Sequence, residues 1–542
     1  MSASKSLPAR PSLESLRKQA KKLARDVAAG DAAAIACMRA HLPRIEPPLT
    51  QRNAQLVVAR EYGFAGWQEL AAEVGKRLGG GLEWAVAQAE RAIHDDDVER
   101  LRQLLGEYPS LKAWQRRKTN DNETDSLLGM ATSAYGDAGD TERERWFTRA
   151  SCAEALLDEG ATVTQAVLEG LLQSRASGLL ALFDRKGLLP RTLKFLAAVG
   201  DRDGVRAALA SHAISVEAVN EAFVCACRFD RAAVALALLE RSIELDPALG
   251  RRIDASMERG AFVRACEKLD LAEVAELGLW KVFAIEQIQR TVHERNLAAF
   301  TDALRQESWL LGAASVRLQA GLLEMLAFQR DPQEFVAALL DLDPAILRSR
   351  PPPASRAIDW AFMYDNTQLL PLLTRVWPVP DGVVFAAGLG DLARVRQWFD
   401  AAGVLRNPEQ QYPYNDPDAR SHLRWNPPTA QHVLDAALAF AVVNRHLDVA
   451  DFLIERGANV STDWGTHEPS SILHTVVFMP DNYGLMRFLI DRGIDMTIRD
   501  CRWNATAQGW ALHALRDEKM AQWLAEAERQ RELKRGPATE SS

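Results

Sequence analysis

The chain has no apolar run of the roughly 18 residues that a membrane-crossing helix needs. Its polar, basic start lacks the apolar segment of a secretory signal. A secreted or membrane-inserted protein is therefore not expected, and the expected compartment is the cytoplasm. Cysteine is scarce, with six residues in 542, at Cys37, Cys152, Cys225, Cys227, Cys266 and Cys501. None has the C-x2-C spacing of zinc or redox sites, and Cys225 and Cys227 sit inside an apolar helical pattern, so buried, reduced thiols are expected. The ten histidines do not cluster, and H-E-x-x-H, G-x-S-x-G and G-x-G-x-x-G patterns are missing. Gly79-Gly80-Gly81 is not followed by the Gly-Lys-Ser/Thr of a phosphate loop. No catalysis, no cofactor and no metal are thus expected. His94-Asp95-Asp96-Asp97 precedes a periodic helical segment, where acids cap a helix without needing a metal. Neither sign of charge is in large excess: 65 basic and 73 acidic residues give −8, which argues against general nucleic-acid binding.

What is present is an ordinary globular composition, 47% apolar and 25% charged, at a length one hydrophobic core does not fill. Internal repetition resolves that tension. Leu447–Val460 (LDVADFLIERGANV) and Leu485–Thr497 (LMRFLIDRGIDMT) align, with Gly457 and Gly493 36 residues apart, and Cys152–Val163 (CAEALLDEGATV) carries the same pattern around Gly160. Each reads as a helix closed by a glycine in the left-handed conformation. A short Ala-rich helix and a polar turn precede each one. The turn can be followed through Gly200-Asp201, Phe229-Asp230, Leu269-Asp270, Arg295-Asn296, Arg330-Asp331, Asp365-Asn366, Gly390-Asp391, Asn444-Arg445-His446, Asp481-Asn482 and Arg516-Asp517. One helix-turn-helix unit recurs, and the expected fold is all-α.

These residues resemble the ankyrin repeat. Asn444–Val460 is similar to its turn and outer helix, Ser471–Val476 (SILHTV) resembles the T-P-L-H-x-A opening, Asn504–Ala511 resembles it again with Gly in the His slot, and Thr124–Ala131 is a weaker match. His474 and the repeat glycines are expected to satisfy backbone groups and permit tight turns. The resemblance implies a right-handed helical-repeat solenoid of roughly a dozen ankyrin-like units, with short β-turn fingers only where the motifs are kept. Between about 165 and 400 only helix spacing and turn position persist. Leu16–Lys21 and Ala59–Leu70, with Phe64 and Trp67, resemble a helical module found before bacterial ankyrin repeats.

The expected organisation is an N-terminal module or cap at 1–80, ankyrin-like repeats at 81–165 and degenerate helical repeats at 166–400. A proline- and aromatic-rich finger insertion follows at 401–432, then repeats and a C-terminal cap at 433–530 and a disordered tail at 531–542. Within the first helix, Leu13, Leu16, Ala20, Leu23 and Val27 form an apolar stripe opposite Arg17, Lys18, Lys21 and Lys22. That basic face suits either a solvated cap or an anionic surface. Residues 404–432 include five prolines, with Tyr412, Tyr414 and Trp425 outside any helical period, so an exposed loop beyond the stacked helices is expected. The resemblance implies that another protein binds the concave face, as to an adaptor or inhibitor. The expected contact residues are Tyr412, Tyr414, Trp425, Trp464, His467 and Trp503. The alternatives are a pocket for catalysis or regulation hidden in the repeats, and a tether through the basic N-terminal helix.

Overall fold

The protein is described here by a computed structural model covering residues 5, 7–8, 11–42, 49–64, 66–79, 81–115, 126–133, 144, 148–210, 214–353, 355–415, 423, 425, 427–462, 466, 469–500 and 505–535. Its helices begin where short polar side chains can accept the orphan amides of a first turn. Thr50 accepts from Asn53 N, Asp97 from Arg100 N, Thr164 from Val167 N, Asp201 from Gly204 N and Asp391 from Arg394 N, all at 2.8–3.2 Å. Asp97 thus has the capping role expected of the acidic run. Among the described residues the chain is helical with no strand, and the two isolated bridges, Gln115 with Ser126 and Phe399 with Leu405, extend no further.

The polar turns seen in the sequence have one geometry. Asp96, Gly200, Asp230, Arg295, Asp365, Gly390 and Arg445 all take positive φ, between 54° and 85°. The amide of the following residue reaches back to a carbonyl five residues earlier: Asp97 to Ala92, Arg231 to Ala226, Asn296 to Thr291, Asn366 to Ala361 and His446 to Ala441. This is the bonding of a Schellman end, which closes one helix and turns the chain back into the next. Leu269-Asp270 departs from the pattern. It has no positive φ, and Asp270 instead caps the next helix through Ala272 N and Glu273 N.

Arginine in the left-handed region carries a Cβ penalty that aspartate and asparagine partly escape. Here the long side chain at such turns bonds to a neighbouring one. Arg295 donates to Arg330 O at 2.9 Å, and Arg445 to Pro480 O at 2.6 Å and to the Asp365 carboxylate at 2.9 Å. Asparagines just past or before the turn act alike. Buried Asn366 donates to Ala327 O and Gln329 O, and Asn444 to Phe362 O. Such bonds join helix ends 35 to 82 residues apart in sequence.

The chain divides into two compact units, Met1–Ala275 and Glu276–Ser542. In the first, helices Leu13–Ala28, Ala32–His41, Gln51–Glu61 and Trp67–Gly79 enclose a core of their own around Leu16, Ala20, Val27, Met38, Val57 and Leu70, with Phe64 and Trp67 half-buried against it. Helices of the later part of this unit bury Cys152, Cys225, Cys227 and Cys266, all unpaired thiols. Burial pushes Cys152 and Cys225 up to about 12 and raises Cys227 and Cys266 as well. In the second unit one continuous core runs from Ile288 to Leu524. At its centre Phe362, Phe385 and Phe440, from helices Ala357–Met363, Val383–Gly388 and Ala430–Val443, meet at centroid distances of 5.4–6.1 Å. Gly388 makes room for them, since a Cβ there would lie 2.5 Å from the Phe362 ring. The last helix, Glu518–Arg535, continues past Arg531, where a disordered tail was expected to begin.

Candidate functional site

The insertion after Phe399 departs from expectation. Leu405, Tyr414, Leu423 and Trp425 belong to the core of the second unit, and half-buried Tyr412 packs against it. Tyr414 is 0% exposed, and its hydroxyl donates to Thr466 O at 2.6 Å. Asn415 N donates to the buried Asp359 carboxylate at 2.7 Å, and Gln411 Oε1 accepts Val383 N, an orphan amide of helix Val383–Gly388. Trp425, 9% exposed, stacks flat on His432 at 4.8 Å. The hydrogen-bond partners of Gln411, Tyr414 and Asn415 lie 28 to 56 positions away, which is why no local period announced these anchors. Tyr414 and Trp425 are therefore structural members of the core and not the exposed loop aromatics anticipated. Trp464, His467 and Trp503 lie outside the described residues.

The buried carboxylates and His474 are occupied by hydrogen bonds with backbone groups and neighbouring side chains. Glu144 accepts Gly178 N and Leu179 N at the start of helix Ser177–Arg185. Asp435 accepts Asn459 N and Gln431 Nε2, with its carboxyl pushed upward by burial. Asp500 accepts Ala505 N and Trp510 Nε1. His474 forms a capping box with Ser471 and places Nε2 3.0 Å from Ala505 O, and burial holds its imidazole below the usual range. That is the structural role expected of it. Among the described residues no three His, Cys, Asp or Glu side chains come together as metal ligands would.

The surface offers something else. Phe328 and Tyr364, each 41% exposed, occupy the C-terminal ends of helices Val316–Ala327 and Ala357–Met363. With half-buried Trp360 they form a cluster of three rings at centroid distances of 5.5–6.1 Å, tilted by 44–66°. The Arg356 guanidinium lies 4.2 Å over Trp360 and 6.0 Å from the Tyr414 ring. Its buried Nε has no hydrogen-bond partner among the described residues, and its backbone amide is held by Glu324 across the two helices. The sequence carried a usable signal for this patch. Arg356, Trp360 and Tyr364 recur every four residues, opposite the buried Ile358, Ala361 and Phe362. The chain matches no protein-family model and no curated protein.

Proposed function

We propose that this chain is a non-catalytic scaffold of the bacterial cytoplasm, a right-handed solenoid of ankyrin-like units that holds a protein partner on its concave face as an adaptor or inhibitor. The observation that carries this reading is the Phe328–Trp360–Tyr364 cluster. Large rings left in water on two packed helices are costly to a monomer, and aromatic residues beside an arginine are the composition of binding hot spots. The recurring turns and the bonds between them support the repeat architecture. A fitting partner seats an apolar side chain on the three rings and brings a carboxylate to Arg356. Because the insertion is packed into the core, the surface on offer moves from Tyr414 and Trp425 to this patch.

The test is capture from a bacterial lysate with the wild type beside Phe328→Ala and Tyr364→Ala, followed by affinity measurement on the recovered partner. Each variant is expected to weaken that partner by about 2 kcal/mol, roughly thirtyfold, with little change in thermal midpoint. A partner held equally by both variants would overturn the assignment.

A further inference from the structure

We infer that the N-terminal module has a second docking face, formed by the helix Leu13–Ala28, which adsorbs to an anionic lipid bilayer without inserting. The helix is divided lengthwise. Leu16, Ala20 and Val27 are buried in the module's core, while Arg17, Lys18, Lys21, Lys22 and Arg25 are exposed on the other side. These five cations recur at i, i+1, i+4, i+5 and i+8, covering one face over about 12 Å of helix. Asp26 lies at their edge, 2.7 Å from Lys22 and 3.6 Å from Arg25. Residues 1–80 hold thirteen basic and seven acidic residues, +6, which leaves −14 for the remainder of a chain whose total is −8. So strong a separation of charge orients the molecule toward an anionic surface and keeps the rest of the chain off it.

The chemistry of the face favours a bilayer. Its apolar stripe is already spent on the module's core, so nothing on this helix is free to enter hydrocarbon, and attraction must come from charge. A lipid surface asks only for a flat array of cations. Nucleic-acid recognition draws on stacking rings or base-reading amides. This face has no ring, and its amide, Gln19, accepts the Tyr62 hydroxyl.

The experiment is co-sedimentation of the full chain with phosphatidylcholine vesicles, with and without about a third phosphatidylserine, at low and at 0.5 M salt. Binding is expected only to the anionic vesicles at low salt. Each cation at such a surface contributes about fivefold in partitioning. Arg17→Glu with Lys21→Glu should therefore lower binding more than about a hundredfold, to background. Both side chains are exposed, and an unchanged thermal midpoint checks that the module stays folded. Arg102→Glu, exposed on a helix outside the module, should bind as wild type does. Equal binding to neutral vesicles, or retention by the double variant, would overturn the inference. So would release from anionic vesicles by a stoichiometric duplex DNA fragment, which would reassign the face to nucleic acid.

Discussion

Replacing Tyr414 by alanine tests whether the insertion is core or ornament. The side chain is wholly buried, so its removal opens a ring-sized cavity beneath Arg356 and beside Asn415, and leaves Thr466 O without its hydroxyl donor. Truncating a buried aromatic costs about 3–5 kcal/mol. The hydroxyl alone, removed in Tyr414→Phe, accounts for about 1–2 kcal/mol, because a buried carbonyl loses its partner. For a unit of this size about 4 kcal/mol corresponds to a fall of roughly 10 °C in midpoint. Urea unfolding followed by circular dichroism, with hydrogen exchange to place the loss in the second unit, measures both variants. The expected order is wild type, then Tyr414→Phe, then Tyr414→Ala. An alanine variant within about 0.5 kcal/mol of wild type, the range of ordinary surface changes, would refute the burial and restore the exposed loop.

Asn366→Ala removes two bonds to the carbonyls of Ala327 and Gln329 and should cost about 2 kcal/mol by urea midpoint, with the greatest loss of exchange protection near that turn. His474 is held neutral by burial, its folded pKa lying below the ordinary 6.5. Its contribution is complete above that value and declines as pH falls below it, because the unfolded chain takes up a proton first. Stability measured from pH 7 to 5 should fall more steeply in the wild type than in His474→Asn. Iodoacetamide at pH 7.5 should leave Cys152, Cys225, Cys227 and Cys266 unmodified in the native protein and label them after unfolding, as peptide mass spectrometry would read.

The turns were legible because the information that makes them is local. A polar residue or glycine between two apolar runs suffices to mark Gly200, Asp230, Arg295, Asp365, Gly390 and Arg445, and all of them adopt the left-handed conformation. The N-terminal helix was legible for the same reason, since its buried and charged stripes follow one period. The insertion was not. Tyr414 and Asn415 are held by Thr466 and Asp359, 52 and 56 residues away, and irregular chain shows no periodicity when it is buried. The Phe328 and Tyr364 rings were missed for a different reason. Each ends an apolar run and reads as the last core residue of its helix, whereas the three-ring cluster exists only when the helices Val316–Ala327 and Ala357–Met363 lie side by side.

Beside two ion pairs, Arg295 with Asp331 and Arg445 with Asp365, the turns are joined by bonds that are one-sided. In Arg295, Asn366, Asn444 and Arg445 a side chain reaches a main-chain oxygen of another turn. That oxygen is present whatever residue supplies it. A substitution at the accepting position leaves the bond intact, so helix pairs that meet at these turns are free to differ in sequence while their ends stay fastened. A pairing of two side chains would have forced both positions to change together. The stretch from about 165 to 400, where the turns persist while the residues around them differ, is what such asymmetric fastening permits.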